Sequence, residues 1–161
     1  MQDFSGGNRD GQAVTVKKMF SRETSVSIKI QAAPAIVWAL LTHASDYARW
    51  NSTIVSIEGD IKAGSQIKLK STLDEKRTFN LKVKEFEPER RLVWGDSMGN
   101  RVYTLSPEVS NALRFTMTEK IGGPLFPLFA GAIPSFDASF ETFAADLKKE
   151  AETIQNSKTG L

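Results

Sequence analysis

The chain contains no cysteine and only one histidine, His43. The first absence excludes a disulfide scaffold, thiolate catalysis and cysteine metal sites, and it agrees with a reducing compartment. The second excludes a histidine-rich metal site. No apolar run approaches the roughly 20 residues needed to span a bilayer, so no stable membrane insertion is expected. Residues 1–16 are rich in Gly, Asn, Asp and Gln and lack the apolar core of a secretory signal. Charge of one sign is scarce too. The 21 Lys and Arg against 19 Asp and Glu leave a formal net charge of +2, too small to mark a nucleic-acid surface. Runs such as Asp74-Glu75-Lys76-Arg77 alternate in sign and read as solvated faces. There is no G-x-S-x-G elbow, no phosphate-cradling glycine loop, no G-x-G-x-x-G and no acidic run with calcium-loop spacing. We therefore expect no metal, no cofactor and no nucleic-acid partner, and a cytoplasmic location. Oligomeric state stays open.

What is present is an ordered succession of two hydrophobic periods. At 161 residues with 40% hydrophobic side chains, the chain fits one domain burying about 70% of the surface its unfolded form exposes. Thr24, Val26, Ile28 and Ile30 alternate with polar residues, which predicts a half-buried strand. Pro34 opens a short helix carrying Ile36, Val37, Leu40 and Leu41, and a second short helix over 44–49 ends near Trp50-Asn51. Strand-like runs follow at 54–58, 66–71, 79–84, 92–94, 101–106 and 112–121, separated by turn signals such as Gly59-Asp60 and Gly99-Asn100. The chain closes with a helical period over about 124–154. Its first part is broken by Pro127, Gly131 and Pro134 and reads as an irregular lead-in. From Ser135 on, Phe136, Phe140, Phe143, Leu147, Ala151 and Ile154 form a clean stripe. Residues 1–18 are expected to be a disordered leader, 19–155 a single domain and 156–161 a frayed tail.

A long amphipathic helix after a run of antiparallel strands must bury its stripe across the concave face of a curved sheet. The expected fold class is α+β, with about seven strands in the order β-α-α-β6-α wrapped around the C-terminal helix. A gap between sheet and helix is a natural ligand cavity.

Several stretches carry a family likeness. They are Ala33-Pro34-Ala35-Ile36-Val37-Trp38, Tyr47-Ala48-Arg49-Trp50-Asn51, Glu58-Gly59-Asp60 with Ala63-Gly64-Ser65, Phe86-Glu87-Pro88-Glu89-Arg90-Arg91-Leu92-Val93-Trp94, Gly122-Gly123-Pro124 and Phe140-Glu141-Thr142-Phe143. In this order the chain resembles the START-domain and pollen-allergen-like helix-grip superfamily (SRPBCC). Within it the chain is similar to the bacterial polyketide cyclase/dehydrase and lipid-transport branch, over about 24–152. The matching residues shape the scaffold and none is a catalytic signature. The resemblance implies the helix-grip fold and a hydrophobic cavity, but it does not choose between carriers and enzymes.

Three residues are candidates for acid–base chemistry. His43, between the two short helices, reads as a general acid or base at a pocket mouth, or more plainly as a helix-junction residue. Asp137 lies beside the apolar stripe, four residues before Glu141. Turned inward it would be an acid or ligand anchor; turned outward it would be a solvated carboxylate near a helix N-terminus. Tyr103 shares a strand face with Arg101, with Thr116, Thr118 and Glu119 on the neighbouring strand. The pair would suit a carbonyl or carboxylate if it faced inward, and the plainer reading puts it on the outer face. For an apolar ligand the expected lining is Phe79, Leu81, Trp94, Phe115, Met117, Phe129, Ile133, Phe136 and Phe140, although a core needs such residues in any case. The leading functional expectation is a binder of a hydrophobic small molecule, such as a lipid, polyketide or aromatic metabolite. The alternatives are a cyclase/dehydratase-type enzyme with limited acid–base help and an accessory protein with a vestigial pocket.

Overall fold

The computed structural model describes residues 9–159. Eight antiparallel strands form one sheet in the order β1-β2-β8-β7-β6-β5-β4-β3. They are β1 Val14–Lys17, β2 Ser21–Ile30, β3 Ile54–Glu58, β4 Gln66–Ser71, β5 Asp74–Glu87, β6 Arg91–Gly95, β7 Gly99–Glu108 and β8 Ala112–Gly122. Between β2 and β3 lie α1 Pro34–Thr42, a single 3-10 turn Ala44–Asp46 and α2 Tyr47–Trp50. After β8 come α3 Phe126–Phe129, a 3-10 turn Ala130–Ala132 and the long α4 Asp137–Thr159. This is the α+β helix-grip architecture that the alternating and helical periods predict.

Strand parity decides which side of the sheet is dry. On β2, Thr24, Val26, Ile28 and Ile30 are buried, as their alternation requires. On β8 the matching inward set is Leu113, Phe115 and Met117, with Val26 opposite Met117 and Ile28 opposite Phe115. Register shifts at Ile54/Ser56, Leu69/Ser71 and Val83/Glu85 interrupt the ladders of β3 to β6. Such irregularities bend a sheet and raise its local twist, so this half curls away from the plane of β2 and β8. Pro34 occupies the first turn of α1, where its missing N–H costs nothing.

The helix α4 lies chiefly against β2 and α1. Its buried stripe is Phe140, Phe143, Ala144, Leu147 and Ala151. Phe143 sits in an aromatic cluster, with ring centroids 5.8 Å from Tyr103, 5.9 Å from Trp50, 6.3 Å from Phe115 and 6.4 Å from Tyr47. Each contact falls in the range where aromatic pairs attract beyond simple burial. Off the stripe, the acidic side chains of α4 accept hydrogen bonds from unpaired backbone amides. Glu141 takes the N–H of Ala13 at 3.1 Å, Asp146 that of Ser52 at 2.8 Å and Glu152 that of Gln31 at 2.8 Å.

The boundaries differ from expectation at both ends. Residues 1–8 of the expected leader lie outside the described residues. From Arg9 on, the leader is not disordered: β1 pairs with β2 through Val14–Ser25 to Lys17–Arg22. The N–H of Gly11 bonds the Ser27 carbonyl, and the Asp10 carboxylate takes the Lys29 N–H and pairs with Arg114, both at 2.8 Å. The β-branched run Val14-Thr15-Val16 is the local reason. The sheet therefore has eight strands where about seven were expected. At the other end the expected frayed tail is helical through Thr159, and 160–161 lie outside the described residues. Within the expected 124–154 helix, the prolines restrict helix to the short α3, and α4 begins only at Asp137.

Two predictions follow from this packing. Phe143→Ala should lower stability by about 3–5 kcal/mol in urea unfolding, the range for deleting a buried aromatic ring. Deleting residues 1–18 should cost roughly 1–3 kcal/mol by the same measurement, because a paired strand and its ties to α4 and β8 go with them; an unchanged midpoint would mean that β1 contributes nothing.

Candidate functional site

The concave face is not covered evenly. Because α4 rests on β2 and α2 packs at β3, the stretch of the curled half between them is roofed by the segment before the helix, residues 132–136. Beneath that roof is a cavity of about 240 Å³. Its floor is built from inward positions of β4 and β5 (Leu69, Phe79, Leu81), from Trp94 and Gly95 of β6, and from Arg101 of β7 with Glu119 and Ile121 of β8. The mouth carries Leu73, Asp74 and Arg77 on one side and Asp96 and Met98 on the other, and the roof is Ala132, Ile133, Pro134 and Phe136. Gly95 is required here: a Cβ at this position would stand 2.2 Å from the Gly99 carbonyl oxygen, so a side chain would push β6 and β7 apart. A wider concavity of about 430 Å³, lined by Phe20, Asp96, Asn100 and Lys120 among others, is an open surface depression without an apolar floor.

Arg22 holds the roof. It shares the inward parity of β2 and is only 8% exposed. Its Nη1 donates to the Ile133 carbonyl at 3.2 Å and its Nη2 to that of Pro134 at 2.8 Å. Its guanidinium carbon stands 4.7 Å from the Phe136 ring centroid, in cation–π range. The sequence reading began this strand at Thr24 and missed Arg22, although the same parity carried two residues back would have placed it inward.

The polar part of the floor is Arg101 and Glu119. They are directly opposite on β7 and β8, and Arg101 Nε meets Glu119 Oε1 at 3.2 Å with both side chains mostly shielded. The Arg101 guanidinium also covers the Phe140 ring at 5.0 Å. Burial works against its charge, but Glu119 and Tyr103 outweigh that and hold its pKa above the ordinary value. Tyr103 lies one inward position further along β7, fully buried, with its ring 5.0 Å from Trp94. Its hydroxyl has no partner in hydrogen-bond geometry among the described residues. Burial pushes that hydroxyl up to about 12, against the opposing pull of Arg101. The plainer expectation for this pair, an outer wet face, is thus overturned by strand parity: Arg101, Tyr103 and Glu119 all face α4.

The three acid–base candidates do not meet at the cavity. His43 is exposed at the junction of α1 and the following 3-10 turn. Asp137 accepts a hydrogen bond from the Thr15 hydroxyl, while its own N–H is capped by Ser135 Oγ at 3.3 Å, so it clasps β1. Tyr103 packs beneath the floor without forming its wall. Of the expected lining, Phe79, Leu81, Trp94, Ile133 and Phe136 border the cavity. Phe115, Met117 and Phe140 do not. They have no exposed surface, because α4 covers Phe115 and Met117 on β8 and presses its own Phe140 against the sheet. Phe129 packs edge-on against Phe126 at 5.6 Å, away from the cavity. Among the described residues no group of three or more His, Asp or Glu side chains gathers as a metal ion would need, and no helix is long and apolar enough to cross a membrane.

Residues 21–152 match the model of the family described as polyketide cyclase / dehydrase and lipid transport. The chain belongs to that family. No curated protein matches it. Among solved structures, a protein from Rhodobacter sphaeroides is similar at 17% identity and a TM-score of 0.64, covering 88% of this chain and 99% of its own. A START superfamily protein from Mycobacterium smegmatis is similar at 15% identity and TM-score 0.60, covering 82% and 98%. DynU16, from the dynemicin biosynthetic locus, is similar at 18% identity and TM-score 0.64, covering 83% of this chain and 48% of its own. These likenesses establish the fold of the polyketide cyclase / dehydrase and lipid transport family member described here. Family and fold together point to hydrophobic-ligand binding or a polyketide cyclase-like activity.

The Arg101–Glu119 pair yields a test by double substitution. Arg101→Met alone leaves a shielded carboxylate without its cation and should cost about 2 kcal/mol or more, whereas Arg101→Met with Glu119→Gln should recover most of that loss. Tyr103→Phe removes a hydroxyl without a partner in hydrogen-bond geometry and should change stability by less than about 1 kcal/mol. Urea unfolding of the four proteins checks both statements.

Proposed function

We propose that this protein binds a compact hydrophobic molecule in the cavity between the curled half of the sheet and residues 132–136. The observation that carries the reading is the cavity's composition. Its floor and roof are largely apolar and aromatic, with one shielded Arg–Glu pair as the polar element. That is the usual make-up of a small-molecule site, where apolar burial supplies affinity and a few polar groups orient the ligand. The volume of about 240 Å³ lies at or below the low end of drug-sized pockets. It favours an aromatic metabolite or a short polyketide over a lipid with two full acyl chains. A working place in the cytoplasm belongs to the same proposal.

The binding reading is preferred to a cyclase/dehydratase-type enzyme for a specific reason. General acid–base catalysis needs a titrating group within hydrogen-bond reach of the substrate. His43 is exposed away from the cavity, Asp137 is bonded by the Thr15 hydroxyl, and Tyr103 holds its proton firmly. A vestigial pocket is disfavoured by the open cavity itself, since a core under no demand for a ligand closes to native packing density.

Native mass spectrometry of the freshly purified protein, followed by organic extraction, tests this. A stoichiometric apolar adduct is expected. Leu81→Trp, which fills the cavity from β5, should abolish the adduct while leaving the protein folded. An adduct that survives Leu81→Trp would place the ligand outside this cavity.

A further inference from the structure

The Arg101–Glu119 pair also bears on which head group the ligand carries, an inference that rests on the binding reading above. Arg101 has five N–H donors. Nε is used on Glu119 Oε1, and the Tyr103 hydroxyl stands beside the guanidinium. Among the described residues neither Nη atom has an acceptor in hydrogen-bond geometry, and Arg101 forms part of the cavity floor. The guanidinium is 13% exposed and borders the cavity, so an acceptor on a ligand there can reach its Nη donors.

Charge then separates the possible acceptors. The cavity's formal charges are Arg77 and Arg101 against Asp74, Asp96 and Glu119. There is no surplus of positive charge to offset a buried anion. Arg101 is already neutralised by Glu119, and Arg77 stands over the Phe79 ring at 4.5 Å near the mouth. Arg22 is committed to the Ile133 and Pro134 carbonyls of the roof, and Lys84 is turned to the Asp96 carbonyl and Asn100 Oδ1. A ligand carboxylate would lose its hydration and meet a cation whose charge is spent. A neutral oxygen acceptor loses far less and still receives a charge-assisted hydrogen bond. We infer that Arg101 anchors a neutral carbonyl oxygen on a compact, largely aromatic ligand, and that the paired Glu119 excludes carboxylate analogues of the same size.

Four probes of matched size separate the alternatives: acetylnaphthalene, ethylnaphthalene, naphthoate and aminomethylnaphthalene, each titrated calorimetrically into the full-length protein. Acetylnaphthalene should bind roughly tenfold or more tightly than ethylnaphthalene, the increment of one hydrogen bond to a charged donor. It should exceed naphthoate by at least as much. The carbonyl stretching band of bound acetylnaphthalene should move to lower frequency than in an inert solvent. In Arg101→Met with Glu119→Gln, ethylnaphthalene should still bind and the acetyl preference should collapse to within about twofold. Equal binding of the acetyl and ethyl probes, tightest binding of naphthoate, or an unshifted carbonyl band would overturn the anchor while leaving the pocket reading intact. Tightest binding of the amine would do the same and assign the site to Glu119. Failure of all four probes to bind would overturn the pocket reading and this inference together. The head-group series on the unaltered protein decides the matter even where the double variant does not fold.

Discussion

The insertion of Phe143 between Tyr47, Trp50, Tyr103 and Phe115 joins α4, the α2 corner and strands β7 and β8 at one point. A sheet with one dry face and a helix with one dry stripe satisfy each other only when pressed together, and this cluster fixes where they touch. It fixes equally where they do not. With α4 committed to the β2 side, the bulged ladders of β3 to β6 curl beyond its reach, and the uncovered part of the concave face becomes the cavity. The ligand site is thus a by-product of how the core is seated.

The polar contacts reinforce that seating. The carboxylates of Glu141, Asp146 and Glu152 reach out sideways from α4 to amides that no strand or helix satisfies. A hydrogen bond to a charged acceptor is stronger than a neutral one, so each of these contacts discourages the helix from sliding or rolling. Arg22 does the corresponding work for the roof, tying two consecutive carbonyls of a proline-broken segment that has few backbone bonds of its own. Site and scaffold therefore share supports: the strand that carries Arg22 also carries α4.

The sequence made the element order legible because two periods, two residues and three to four residues, alternate along it with clear turn signals. β1 was harder to see. Val14-Thr15-Val16 is short and follows a polar stretch, and its order comes from pairing with β2 and from Asp137 and Glu141 more than 120 residues away. Within the site, parity identified Phe79, Leu81 and Trp94 as inward-facing, but it assigned the same orientation to Phe115 and Met117. What separates the two groups is whether α4 lies above them, and that depends on how the helix crosses the sheet, a non-local property that also decides where the helix's own Phe140 lands. The same limit applied to Arg101 and Glu119. Polar residues two apart on late strands fit an outer face as readily as a shielded pair, until the neighbouring inward residues Trp94 and Met117 are known to be buried.

Trp94 belongs to two environments at once. One side of the indole forms cavity floor, and the other meets Tyr103 at 5.0 Å and Tyr47 at 6.4 Å. These are the only tyrosines in the chain. Light absorbed by the Tyr103 phenol therefore has a neighbouring acceptor whose emission depends on what fills the adjoining space. The molecule carries its own optical gauge of occupancy, wired through the same rings that hold it together.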